Sequence, residues 1–174
     1  MTAPVDPLVR FYAGEGTDAR GRRLEEILAW DDARLESVHD YVQWLFPLPE
    51  PSAFNPHAPT LTEATVRAFQ QAATLRARLG QALHRMLAFY GLVEASRQGR
   101  VEIERSADFA AKSRNWLHPG NHNHLRLTRI LTCLRLLGLE AQSRALLACL
   151  ERIAAEHPHA ISSTTLAYWR KAAT

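Results

Sequence analysis

Apolar residues recur along this chain at intervals of three and four rather than in strict alternation, and that period predicts helices. Asp6 followed by Pro7 reads as an N-cap and first helical position, opening a helix that ends by Gly14 or Gly16. Leu24, Ile27 and Leu28 mark a second helix from about Arg22 to Trp30. Leu35, Val38, Tyr41, Val42 and Leu45 mark a third, from an Asp31 cap to Phe46, where Pro47 stops it. Thr62 opens the longest helix, which runs to Tyr90 with Gly91 as its C-terminal cap and buries Leu75, Leu79, Ala82, Met86 and Phe89. Gly80 inside it costs about 1 kcal/mol relative to alanine, and close helix packing is the expected reason.

Beyond Tyr90 the pattern changes briefly. Val101-Glu102-Ile103-Glu104 alternates and Gln98-Gly99 is a turn signal, so a two-stranded ribbon at most is expected between Leu92 and Arg105. A modest helix from about Ala107 to Leu117 precedes a break at His118-Pro119-Gly120. Three amphipathic helices follow. Asn121 caps the first, which ends at Gly138 and turns Leu127, Ile130, Leu131, Leu134 and Leu137 inward. The second, about Glu140 to Glu156, presents Leu146, Leu147, Leu150 and Ile153. Ser162 or Ser163 caps the last, with Leu166 and Trp169. Short turns between them imply antiparallel packing, and the whole reads as an all-α, single compact domain over residues 1–174 with about seven to eight helices. Five of the nine prolines, at 47, 49, 51, 56 and 59, form an extended surface loop, with Phe54 expected to tuck in.

Composition removes several function classes. With 47% hydrophobic residues in 174, the chain is not a wholly disordered one. No apolar run approaches the roughly 20 residues of a membrane-spanning helix, so no transmembrane segment is expected. Met1-Thr2-Ala3-Pro4-Val5-Asp6 lacks the basic and apolar regions of a signal peptide. Two cysteines, Cys133 and Cys149, suit a reducing compartment, and a cytoplasmic location is expected. A net charge of +3 with 18 interspersed acids is too small and mixed for a nucleic-acid footprint. Lys112 and Lys171 are the only lysines among 21 basic residues, a bias read as codon usage.

The candidate chemistry is sparse. His118, His122 and His124 cluster, yet Pro119 and Gly120 separate the first from the helix and the other two point to different faces, which argues against a metal. His122, Arg126 and Arg129 share a helix face. Two arginines at the positive end of a helix call for a negative group, either an internal carboxylate or a bound anion. Asp40 is the acid expected opposite them, with Gln43 completing a polar seam. Trp44, on the face carrying Tyr41 and Val38, is expected to be structural before it is functional, although Trp44 and Phe46 also border the proline-rich loop as an aromatic groove would. Phosphate loops, nucleophile elbows and zinc-protease motifs are missing, and no cofactor is expected.

The run His39-Asp40-Tyr41-Val42-Gln43-Trp44-Leu45-Phe46-Pro47-Leu48-Pro49-Glu50-Pro51 resembles the signature of the opioid growth factor receptor conserved domain. Phe11-Tyr12 with Gly14-Glu15, Leu24 to Trp30, and Asn55-Pro56 with Leu61-Thr62 resemble neighbouring pieces in the family's order. His122-Asn123-His124-Leu125-Arg126-Leu127-Thr128-Arg129-Ile130-Leu131 resembles its second hallmark block. The resemblance spans about residue 8 to residue 150 and implies a stand-alone, bacterial-type member. It further implies a non-enzymatic helical module binding a peptide or protein, in a family described as binding an opioid peptide and associating with membranes. A small-molecule or anion site built on His122, Arg126 and Arg129, enzymatic or not, is the alternative.

Overall fold

The computed structural model describes residues 6–174; Met1 to Val5, most of the run that lacks signal-peptide character, lie outside the described residues. Ten α-helices and one two-stranded antiparallel sheet are present among them, so the protein is predominantly helical. The chain divides into two compact units, residues 1–82 and 83–174.

In the first unit, α1 (Pro7–Ala13) begins where the sequence places it. The Asp6 side chain accepts the Leu8 N–H at 2.8 Å, and Gly14 closes the helix at φ 80°. The other Asp6 oxygen accepts the Thr65 hydroxyl, which ties α1 to α5 (Glu63–Gln71). Tyr12 packs edge-on to Phe69 at 5.1 Å across the same pair of helices. Between them lie α2 (Leu24–Leu28), α3 (Asp32–Ser37) and α4 (Val42–Leu45). Leu8, Phe11, Tyr12, Leu24, Ile27, Leu35, Leu45 and Phe46 are the fully enclosed centre of this unit.

Two helices expected as single pieces are broken, and each break has a local cause. The stretch from Asp31 to Phe46 interrupts at Val38, a β-branched residue in extended conformation (φ −96°, ψ 134°). Tyr41 re-anchors the chain by donating its hydroxyl to the Leu35 carbonyl at 2.8 Å. The long helix breaks at Ala72 (φ −100°, ψ 105°), where α6 (Ala73–Tyr90) starts. There the Arg76 guanidinium donates to the carbonyls of Phe69 and Gln70, satisfying acceptors that the interrupted ladder leaves free. These breaks, with a third between α7 (Phe109–Lys112) and a 3-10 turn at Ser113–Asn115, raise the helix count above the seven to eight expected.

The proline-rich segment is irregular, as expected, and the Leu61 N–H closes it onto the Leu48 carbonyl at 2.9 Å. Phe54 does not tuck in; it is 88% exposed, on a segment stiffened by proline.

The second unit opens with the rest of α6, capped by Gly91 at φ 77°. A side chain there would bring its Cβ to 2.7 Å from the Phe109 Cα, so glycine is required by both backbone angle and space. The ribbon is β1 (Leu92–Arg97) and β2 (Arg100–Arg105), paired from Leu92↔Arg105 to Arg97↔Arg100. Gln98 and Gly99 both have positive φ, 52° and 74°, as a two-residue hairpin turn demands. Helices α8 (Asn123–Leu136), α9 (Glu140–Glu156) and α10 (Ser163–Ala173) pack on one another, and β2 lies against α9. No described helix is long and apolar enough to cross a membrane.

Gly80 departs from expectation. A Cβ at this position meets nothing within 4 Å, so close packing is not its reason. Gly80→Ala should therefore stabilise the protein by about 0.5–1 kcal/mol, through helix propensity and a less flexible unfolded chain. Urea unfolding monitored by circular dichroism checks this; a destabilised variant would mean that the helix face is occluded.

Candidate functional site

The first block of interest lies around α4. Asp40, the acid expected opposite Arg126 and Arg129, finds its ion-pair partners inside the first unit. Its carboxylate is taken by Arg22 at 2.9 Å and Arg20 at 3.1 Å. Arg22 in turn holds Asp18 at 2.6 Å, and the Asp18 side chain, fully buried, accepts the backbone N–H groups of Arg20 and Arg22. Residues 18–22 thus form a tight loop whose own arginines reach out to clamp the segment before α4. A guanidinium already oriented by Asp18 meets Asp40 at little further entropic cost. Burial pushes the Asp40 carboxyl up, but the Arg22 hydrogen bond and charge, with Arg20, outweigh it and hold the group below the ordinary carboxylate range.

Aromatic contacts extend this clamp. The Arg22 and Arg34 guanidiniums lie over Trp30 at 5.2 and 4.3 Å from the ring centre, and Trp30 packs edge-on to Tyr41 at 5.4 Å. Trp44 is buried and meets Phe11 edge-on at 5.4 Å, in keeping with a structural role. Gln43 is different. It is nine-tenths buried, and among the described residues nothing donates a hydrogen bond to its Oε1.

The second block starts α8. Asn121, expected as the cap, sits one residue before the N-cap His122 and accepts the Asn123 N–H at 2.9 Å. The three histidines go separate ways: His118 bonds Asn121, exposed His122 lies 3.5 Å from the Asn123 amide, and buried His124 reaches the Trp116 carbonyl at 2.9 Å. A carbonyl only accepts, so Nε2 of His124 carries the proton. Burial lowers the His124 pKa, against the pull of the Trp116 carbonyl and with help from His118 and His122. Trp116 donates its indole N–H to the Tyr90 carbonyl at 3.0 Å, and Trp169 donates to the His124 carbonyl at 3.1 Å. Both indoles stand edge-on to the His124 ring. Arg126 is buried with Nη1 3.4 Å from Asn123 Oδ1, and Arg129 is half-buried.

The sequence reading missed Asp18, Arg20 and Arg22 because their meaning depends on a turn with no helical or strand period. It also left Trp116 outside any grouping, although an indole eight residues before a histidine was the available signal. One open cleft of about 360 Å³ in the first unit, lined by Arg10, Arg23, Glu15 and Thr17 among others, falls outside both blocks. Among the described residues no group of three His, Cys, Asp or Glu side chains is arranged to hold a metal. Burial raises both thiols, at Cys133 and Cys149, which pack as small apolar groups.

Comparison with known proteins decides the relationship. The model of the opioid growth factor receptor conserved region matches residues 8–173. The chain belongs to the opioid growth factor receptor family. It is 42% identical over 134 residues to the opioid growth factor receptor of Rattus norvegicus, covering 75% of this chain and 23% of that protein. For the Homo sapiens receptor the identity is 41% over 138 residues, covering 77% and 20%. Opioid growth factor receptor-like protein 1 of Mus musculus is 35% identical over 143 residues, covering 76% and 29%. The chain therefore spans less than a third of the length of these relatives. No solved structure gives a significant match. In this family member each hallmark block contains a side chain that fastens backbone: Tyr41 to Leu35, His124 to Trp116.

Two outcomes test this geometry. Trp44→Ala should cost about 3–5 kcal/mol in urea unfolding, as truncation of an enclosed indole does; an unchanged midpoint would remove Trp44 from the core. The pH dependence has two limbs. The folded Asp40 pKa is depressed, so its stabilisation is present above about pH 4 and is lost as pH falls through the folded value. His124 is also depressed, so the unfolded chain takes up its proton first, and stability falls as pH drops below about 6.5. Asp40→Asn should flatten the lower limb and His124→Gln the upper one, read as unfolding free energy against pH. Unaltered slopes would contradict the assignments.

Proposed function

We propose that this chain is a non-enzymatic module that binds a peptide or protein segment in the cytoplasm. The observation that carries the reading is kinship: three quarters of the chain aligns with proteins named as receptors for an opioid growth factor. A receptor recognises its ligand by surface complementarity and hydrogen bonding, which requires no reacting groups.

Within the first hallmark block, Gln43 supports the reading. A buried amide oxygen without a donor carries a desolvation cost of about 1–3 kcal/mol, and a ligand N–H removes that cost. Gln43 is the proposed contact of that block, with Trp44 and Asp40 shaping its surroundings. In the second unit, His122, Arg126 and Arg129 are the proposed contacts, exposed His122 being the accessible member.

Panning the protein against a library of random peptides, followed by calorimetry with those retained, tests the function. Gln43→Met, close in volume and free of the orphan oxygen, should leave the melting temperature unchanged or raised while weakening peptide binding by about tenfold. A library that yields no specific peptide would contradict the function. A Gln43→Met variant that binds normally would remove Gln43 from the contact surface.

A further inference from the structure

The ribbon of the second unit has one covered edge and one open edge. Hydrogen-bonding parity follows from the turn and from one bond beyond the ribbon. A two-residue turn at Gln98-Gly99 makes Arg97 and Arg100 a hydrogen-bonded pair. The Ser106 N–H to Gly91 carbonyl bond, 2.9 Å, falls on the same alternation. Residues 91, 93, 95 and 97 therefore turn their backbone groups toward β2, and Leu92, Glu94 and Ser96 turn theirs outward. On β2 the outward residues are Val101, Ile103 and Arg105.

The β2 edge is covered. Arg152 of α9 donates to the Ile103 carbonyl at 3.0 Å, and Arg105 pairs with Glu156 of α9 at 2.6 Å. The β1 edge is not. Among the described residues nothing hydrogen-bonds the backbone N–H or C=O of Glu94 or Ser96. Beside this edge Val93 is 44% exposed and Ser96 is exposed. An unpaired strand edge is a template for another extended backbone.

Charge indicates what kind of segment fits. The pair closing the hairpin sets two arginines opposite each other, Arg97 and Arg100, an unfavourable arrangement. Arg97 is offset by Glu102 and Glu104, whereas Arg100 makes no ion pair among the described residues. Residues 83–174 as a whole carry thirteen Arg and Lys against seven Asp and Glu. We infer that the β1 edge takes an extended peptide segment as a third strand, antiparallel, with an apolar residue beside Val93 and an acidic one beside Arg97 and Arg100. The inference rests on the peptide-binding reading above and names the surface and the ligand class.

The probe is the capped heptapeptide Ac-TDTATVT-NH2, whose antiparallel register sets Asp near Arg97, Ala beside Ala95 and Val beside Val93. It is titrated into the 15N-labelled protein. The Glu94 and Ser96 amides should shift and gain protection from hydrogen exchange. Glu94→Pro removes one outward N–H without touching the ladder, and Ser96→Pro does the same at the next site; each should weaken binding by about tenfold or more. Glu94→Ala, which keeps the N–H, should bind as the parent does. Unmoved Glu94 and Ser96 amides would overturn the proposal, and if library peptides still bind elsewhere the broader reading survives it. Protection of the same amides that grows with protein concentration alone would assign the edge to a second copy and overturn the proposal as well.

Discussion

The start of α8 is held by a buried histidine standing edge-on to two indoles. His124 donates to the Trp116 carbonyl, Trp116 donates to the Tyr90 carbonyl, and Trp169 donates to the His124 carbonyl. Each of these polar atoms is enclosed, and an enclosed donor without an acceptor is more costly than the bond itself is worth. The end of α6, the turn before α8 and helix α10 are therefore placed by one chain of hydrogen bonds. Their apolar faces then pack around it: Leu127, Ile130, Leu134, Leu146 and Leu150 are all fully buried.

The first unit uses the same device with charge in place of imidazole. Asp18 is enclosed and would be costly alone, and Arg22 both neutralises it and carries the interaction on to Asp40. Trp30 supplies a face for Arg22 and Arg34, so the clamp is also a packing surface. In each unit one hallmark residue fastens backbone, Tyr41 to the Leu35 carbonyl and His124 to the Trp116 carbonyl. Gln43 is the member that leaves buried capacity unspent, and the β1 edge leaves exposed backbone capacity unspent.

What could be read from sequence was whatever depends on neighbours a few residues away. Asp6-Pro7, Ser162, Gly91 and Gln98-Gly99 mark boundaries that the structure keeps, because capping and turn angles are set within one turn of chain. The breaks at Val38 and Ala72 were hidden, since apolar spacing continues through both and only Tyr41 and Arg76 reveal why the backbone departs from it. The partner of Asp40 was hidden for the same reason. Helix-face spacing pointed to Arg126 and Arg129, while the arginines that pair with it sit in a loop without periodicity. Trp44 was legible as a core residue from its apolar neighbours Tyr41, Val42 and Leu45, although the helix face drawn through Val38 does not form; the orphaned oxygen of Gln43 was not, because a missing partner is visible only in three dimensions.

The ring of His124 tests the account most directly. Long-range 15N–1H correlation spectra across a pH titration report its tautomer and its pKa. The account predicts the Nε2-protonated neutral form, with a pKa below the ordinary imidazole value, in a ring that stays ordered through that range. A ring protonated on Nδ1, or one that titrates at or above the ordinary value, would contradict the hydrogen bond to Trp116 and the fastening of α8 built on it.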